Sequence, residues 1–319
     1  MHEATGPLER RWRPSWPVDL ESTLGVLRHG AGDPTLQITA GQVWRTTRTP
    51  VGPVTVNYQR LGPDVLARAW GPGAALELDT LPTVLGQADD PTGFDALAHP
   101  VMAAAYRRFG PGWRVPRTAR VLEALVPAVL EQRVTGTESA RAWSRLVRQY
   151  GEPAPGPGDG RAGSASGAVP RLRVVPDGAG WARIPSWAWH RAGVDPGRAS
   201  TVLAAAARAG TIERLSERTP EAAARGLRSL PGIGVWTAAE VGARAWGDRD
   251  AVSFGDFHLA RVIVHALTGR TDGTDEEMAA LLSPWAGQRA RAVALLQLHS
   301  GHRLPRRAPR ATITDHRGW

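Results

Sequence analysis

Two periodicities divide the chain. Between residues 17 and 90, apolar and polar positions alternate with period two, in Leu36-Gln37-Ile38-Thr39 and again in Val54-Thr55-Val56-Asn57-Tyr58. Residues 42–49 lie between them and are rich in β-formers, while Gly32-Asp33-Pro34 and Thr49-Pro50-Val51-Gly52-Pro53 mark turns. Segments 65–70 and 74–78 are expected to add strands around Gly71-Pro72-Gly73. Past residue 95 the period lengthens to that of a helix. Val121-Leu122, Leu125-Val126 and Val129-Leu130 recur at helical spacing after Pro116-Arg117-Thr118, with Pro127 placed to kink that helix or to sit near its start. Trp143, Leu146 and Val147 share one face of a helix expected over 139–150. Further helices are expected at 187–193, 197–209, 220–230, 236–247, 256–268, 275–282 and 288–299, so the chain should be all-helical from residue 96 onward. Residues 151–170 are mostly Gly, Pro, Ala and Ser, which cannot bury a core and point to a flexible surface loop.

The expected fold class is therefore α+β: a small antiparallel β-rich subdomain over 1–95, a mainly α-helical domain over 96–305, and a basic tail over 306–319. A chain of 319 residues with 42% hydrophobic residues suits about two domains of roughly 150 residues each. No apolar run approaches the ~18 residues that a membrane span needs. The first sixteen residues are charged and proline-broken, so no signal peptide is expected, and a cytoplasmic, nucleoid-associated protein is.

Charge adds a partner. The formal balance is +9, and all 39 basic side chains are arginine. Such a balance suggests a polyanion, most simply nucleic acid. The complete lack of lysine and cysteine is a stronger constraint. It excludes disulfides, Cys-ligated zinc, iron–sulfur clusters and thiol nucleophiles, and equally a Walker-type phosphate loop and a lysine Schiff base.

The most informative segment is Leu230-Pro231-Gly232-Ile233-Gly234-Val235-Trp236-Thr237-Ala238-Ala239, a glycine-rich turn between two expected helices. Two glycines one residue apart let the backbone bend sharply and leave N–H groups open at a helix start, where a phosphate can bind without any side chain. Twenty residues after Trp236 comes Gly255-Asp256-Phe257-His258-Leu259. Here Asp256 is expected to begin a helix, where the dipole favours negative charge.

These two motifs together resemble the helix–hairpin–helix (HhH-GPD) DNA glycosylase superfamily, and most closely its 3-methyladenine DNA glycosylase II (AlkA-like) branch. Leu130-Glu131-Gln132-Arg133-Val134 is similar to the helix that lines the family's DNA-facing cleft, and residues 287–296 to its late Arg-then-Ala-Leu-Leu helix. The resemblance covers about 96–305, with the β-rich part corresponding to the branch's extra subdomain. It implies a monomeric base-excision enzyme acting on double-stranded DNA that contains damaged bases. Asp256 matches the catalytic aspartate, and Pro231, Gly232, Ile233, Gly234 and Thr237 match the backbone-gripping hairpin. Trp236 and Phe257 match aromatic pocket positions, with core packing the equal alternative. Glu240 stands where the branch has tyrosine, His299 where it has a cleft tryptophan, and Arg133 where it has an apolar wedge. Gln132 or Arg133 is thus a candidate to fill the gap left by a flipped base, or Arg133 a phosphate contact. No cofactor is implied beyond a possible monovalent cation on the carbonyls of Arg228, Leu230 and Ile233.

Lysine then decides a subclass. Bifunctional relatives carry a lysine at the position of Trp236 and cleave the strand through a Schiff base; this chain has none. A monofunctional enzyme that leaves an abasic site is expected, with a cationic base held against aromatic faces. Trp181, Trp187 and Trp189 are expected in the core rather than on DNA. The nine histidines show no metal spacing, and five arginines between Arg303 and Arg317 could bind a duplex backbone or simply be solvated.

Overall fold

The computed structural model describes residues 6–39, 41–157 and 170–300. The tail and most of the glycine-rich segment expected to be a loop lie outside the described residues. Five antiparallel strands, β1 (Leu8–Trp12), β2 (Leu36–Thr39), β3 (Gln42–Thr49), β4 (Gly52–Leu61) and β5 (Asp64–Trp70), form one sheet in the order β1-β5-β4-β3-β2. Helices α1 (Leu20–Gly25), α2 (Ala74–Asp79) and α3 (Leu81–Val84) cover it. Val43, Val54, Val56, Tyr58 and Val65 from the sheet bury against Leu20, Leu24, Leu78 and Leu81 from these helices.

Two expectations for this region fail. The edge strand β1 was not foreseen, because Leu8-Glu9-Arg10-Arg11-Trp12 is mostly exposed and carries no buried alternation. It is held instead by pairing with β5 and by Arg11, which with Arg13 bonds to Asp64 at the β4–β5 turn. Residues 74–78, expected as a strand, form α2. Ala-Ala-Leu-Glu-Leu-Asp is made of good helix formers, and the helix aims Glu77 inward. There Glu77 Oε1 accepts from Arg45 at 2.9 Å and its Oε2 from Arg120 at 2.9 Å. Arg45 also bonds to Glu123 at 2.7 Å, so one buried ion network ties the sheet to the helical part.

The helical part follows as α4 (Pro100–Phe109), α5 (Val121–Leu130), α6 (Gly136–Tyr150), α7 (Gly178–Ala182), α8 (Ser186–Arg191), α9 (Pro196–Ala206) and α10 (Ala209–Glu213). It continues with α11 (Pro220–Arg228), α12 (Val235–Val241), α13 (Leu259–Thr268), α14 (Asp275–Leu281) and α15 (Arg289–Ser300). A two-residue hairpin of strands, β6 (Glu152–Pro153) with β7 (Arg173–Val174), interrupts what was expected to be all helix. Local signals explain the helix starts. Thr135 and Glu138 form a reciprocal capping box on α6, and Thr219 caps α11 with Pro220 behind it. Pro127 lies inside α5.

The helices bury two separate cores. One joins α5, α6, α9, α11 and α12 around Trp143, Trp181 and Trp189, whose rings stack at 6.2 and 6.0 Å. Trp187 departs from the expectation and is 51% exposed, under the Arg191 guanidinium. The other joins α4 to α13, α14 and α15 around Met102, Trp113, Ile263 and Trp285. The cleft between these two cores holds the site.

Candidate active site

The hairpin stands as expected between α11 and α12. Gly232 makes the bend with φ +81°, and a Cβ there would lie 2.2 Å from Thr201 Oγ1, so both conformation and space require glycine. Pro231, Gly232 and Gly234 are exposed, whereas Ile233 is buried beneath them. The Thr237 side chain turns inward and is 2% exposed, so it does not face a backbone ligand. Its hydroxyl instead accepts from Gln132 Nε2 at 2.8 Å, and the same amide donates to the Gly232 carbonyl at 3.0 Å. Gln132 is therefore a strut bracing the hairpin, not the free wedge it was a candidate to be.

Gln132 and Arg133 were expected on a helix. They lie on the turn after α5, and Arg133 is exposed with a left-handed φ of +57°. A non-glycine residue in that conformation stores strain and is worth a functional explanation. The carbonyls of Arg228, Leu230 and Ile233 sit where α11 ends, and Leu230's accepts the Ile233 N–H at 3.2 Å. A set of neutral backbone carbonyls, each with two lone pairs, suits a hard monovalent cation. Among the described residues, no cluster of three His, Asp or Glu side chains could hold a metal ion.

Asp256 lies just before α13 rather than within it. Gly255 precedes it at φ +83°, its N–H given to Asp275 Oδ2 at 2.6 Å. Asp256 Oδ1 accepts the backbone N–H groups of His258 at 2.8 Å and Leu259 at 2.7 Å, so the carboxylate reaches the first residue of α13 from two positions before the N-cap, which is His258 and not Asp256 as expected. Its Oδ2 accepts the Trp236 indole N–H at 3.1 Å. Three donors thus fix the group in one orientation at the edge of a cavity of about 680 Å³.

The cavity wall differs from expectation. Glu240 lines it, but Trp236, Phe257 and His299 do not. Trp236 is half-buried beside Asp256, and Phe257 is 80% exposed with its ring edge-on to His258 at 4.8 Å. His299 is exposed one half-turn beyond Gln297, the last residue of α15 to reach the cavity. The wall is mainly aliphatic, with Ala243, Ala251, Ala290 and Ala294 beside larger residues such as Val252, Leu259, Val262 and Val293, and with polar groups from Glu240, Arg244, Asp248, Ser253, His258, Arg261 and Gln297. Sequence reasoning missed these polar groups, except Glu240. They come from four separate segments, and only the Glu240/Arg244 pair, one helical turn apart, left a local signal.

Glu240 is held from both sides. Arg244 Nη1 donates to its Oε2 at 2.6 Å, and the Ser253 hydroxyl donates to Oε1. Arg244 is half-buried and also donates to the Val26 carbonyl at 3.2 Å. Burial disfavours its charge, yet the negative charges of Glu240 and Glu131 win and raise its pKa. Asp248 is displaced the other way: burial pushes its carboxyl above the usual range, against the backbone bond from Asp250 and with help from the Asp250 and Glu221 charges.

No family model matches the chain. A curated relative, the probable bifunctional transcriptional activator/DNA repair enzyme AlkA of Mycobacterium tuberculosis, is 30% identical over 161 residues, covering 47% of this chain. The match spans 28% of that relative's length. Among solved structures, a 3-methyladenine DNA glycosylase from Archaeoglobus fulgidus superimposes with a TM-score of 0.74 at 16% identity, over 92% of this chain and 98% of that one. An 8-oxoguanine glycosylase/lyase from Clostridium acetobutylicum, solved with double-stranded DNA, gives 0.66 at 11% identity over 94% and 100%. The chain has the fold of the helix–hairpin–helix DNA glycosylases, including the antiparallel N-terminal sheet. Its likeness to the AlkA relative, over about half of its own length, agrees with the resemblance carried by the hairpin and Asp256.

Proposed function

We propose that this protein is a monofunctional DNA glycosylase that removes alkylated, 3-methyladenine-type bases from double-stranded DNA and leaves an abasic site. The observation that carries the reading is Asp256, oriented by three hydrogen bonds at the edge of a cavity and bonded to Trp236 in the first turn of the helix that follows the glycine-rich hairpin. The hairpin grips the backbone of a duplex, and Arg133, strained and exposed beside Gln132 on the turn after α5, takes the place of the extruded base. The target nucleotide turns out of the stack so that its glycosidic bond reaches Asp256.

An N-alkylated purine is already cationic and departs neutral, so little help is needed from a general acid. The bond between the sugar C1′ and the base nitrogen breaks with its electron pair going to the base. The positive sugar left behind is stabilised by the Asp256 carboxylate. Water then adds at C1′ and gives up a proton, for which Asp256 is the acceptor at hand. Trp236 supplies an N–H to Asp256 where a lyase would need an amine, so no Schiff base forms and the strand stays whole. A monovalent cation on the hairpin carbonyls is compatible with this scheme, and no step passes through it.

The test is release of free base from methylated duplex DNA. Asp256→Asn should lower release by about 10³-fold, the scale of losing one electrostatic stabiliser, while binding to an abasic-site duplex persists. Wild-type protein that frees no base from any alkylated substrate would end the enzyme reading in favour of a non-catalytic lesion-binding protein. Strand cleavage without added alkali would end the monofunctional one.

A further inference from the structure

We infer that Glu240 is the specificity-determining residue of the cavity, selecting purines that present an amino N–H donor to it over otherwise identical purines that lack that amino group. The inference rests on the glycosylase reading above. Its starting point is where the aromatic rings are not. Trp236 and Phe257 flank Asp256 outside the wall, Trp113 lines it but is only 2% exposed, and the other ring in the lining is the His258 imidazole. A base entering this space meets mostly aliphatic side chains, which hold any flat ring about equally well. Apolar walls of this kind discriminate poorly between bases of the same shape.

Discrimination therefore falls to polar groups, and besides Asp256, which serves the bond that breaks, Glu240 is a carboxylate held at both oxygens. Ser253 holds one carboxylate oxygen and Arg244 the other, and Arg244 is anchored in turn to the carbonyls of Glu240 and Val26. A carboxylate offers about four lone-pair sites, so two donors leave acceptor capacity toward the cavity that Glu240 lines. The side chain needs no reordering when a base arrives. Because Arg244 already balances its charge, Glu240 reads hydrogen-bond donors rather than the positive charge of an alkylated ring. An amino group satisfies it; a ring C–H in the same place leaves the desolvated carboxylate lone pairs without a donor, which is the situation a polar site rejects strongly.

The pair of lesions that isolates this effect is 7-methylguanine and 7-methylhypoxanthine, made by dimethyl sulfate treatment of duplexes holding one guanine or one hypoxanthine. Both carry the same ring charge; they differ by one amino group. Single-turnover release by the wild-type protein should be about 10- to 100-fold faster for 7-methylguanine. Glu240→Gln should shrink that ratio toward one, chiefly by slowing 7-methylguanine. If melting shows that Glu240→Gln is unfolded, Ser253→Ala is read in its place, since it frees one carboxylate oxygen but keeps the Glu240–Arg244 pair. A variant that slows both lesions in the same proportion, or leaves the ratio unchanged, would overturn the inference and make Glu240 a support of the 251–256 loop. A wild-type protein that releases both lesions equally would overturn it too. Release of neither would instead strike the glycosylase reading and carry this one down with it.

Discussion

Replacing Trp236 with phenylalanine isolates one hydrogen bond at the centre of the site. An aromatic ring remains between the hairpin and the cleft, smaller than the indole, and the N–H that reaches Asp256 Oδ2 at 3.1 Å is lost. A hydrogen bond to a charged group is worth about 1.5–3 kcal/mol, which at 1.36 kcal/mol per decade is about 10- to 150-fold in rate. Two backbone N–H groups remain on Oδ1, at 2.8 and 2.7 Å, so the carboxylate stays attached to the helix start and loses only the anchor on its second oxygen. The expected effect is therefore near the lower bound, about tenfold on the single-turnover rate of base release. Affinity for an abasic duplex, read by fluorescence anisotropy, should remain within about twofold, because Trp236 does not line the cavity. A Trp236→Phe protein with the wild-type rate would show that the indole does not orient Asp256. A parallel loss of affinity and rate would show that the ring supports the hairpin instead.

Gln132→Ala removes two bonds from the hairpin, each worth about 0.5–1.5 kcal/mol; abasic-duplex affinity should weaken about tenfold in a titration, and an unchanged affinity would refute the strut. Glu77→Ala strips a fully buried carboxylate from Arg45 and Arg120, so denaturant unfolding should show a loss of about 3–5 kcal/mol; a loss below about 1 kcal/mol would mean that the network does not hold the sheet to the helices. The Asp248 carboxyl has a folded pKa raised above its unfolded value by burial, so the native state binds the extra proton between the two values. Its penalty is complete above the folded value and fades as pH falls through it toward the ordinary range near about 4. Asp248→Asn should accordingly melt higher than wild type at neutral pH, by a margin that shrinks on acidification; a margin that grows would reverse the assignment.

How much of this could be read beforehand depends on distance along the chain. The hairpin was readable because Gly232 and Gly234 impose their bend locally. Asp256 was readable because a Gly-Asp before a helix, set twenty residues from Trp236, is a local pattern on each side of one helical unit. Strands β2 and β4 followed their alternation and β3 its β-forming residues. Strand β1 did not, because an exposed edge buries no alternating face, and α2 was misjudged because its inward residue is a glutamate whose partners lie in β3 and just before α5. Gln132 looked like a wedge until its amide was found on Gly232, a hundred residues away.

The sequence by itself determined the chemistry that is barred, since lysine and cysteine are absent whatever the fold, and the motifs whose geometry is set within a few residues. Only the tertiary structure decided which side chains face the cavity. The aromatic residues matched by resemblance were placed beside it, and Glu240, Arg244 and Ser253 were turned into it. A side chain's facing depends on how helices from two separate cores are packed across a cleft, and no window of sequence contains both sides of that contact.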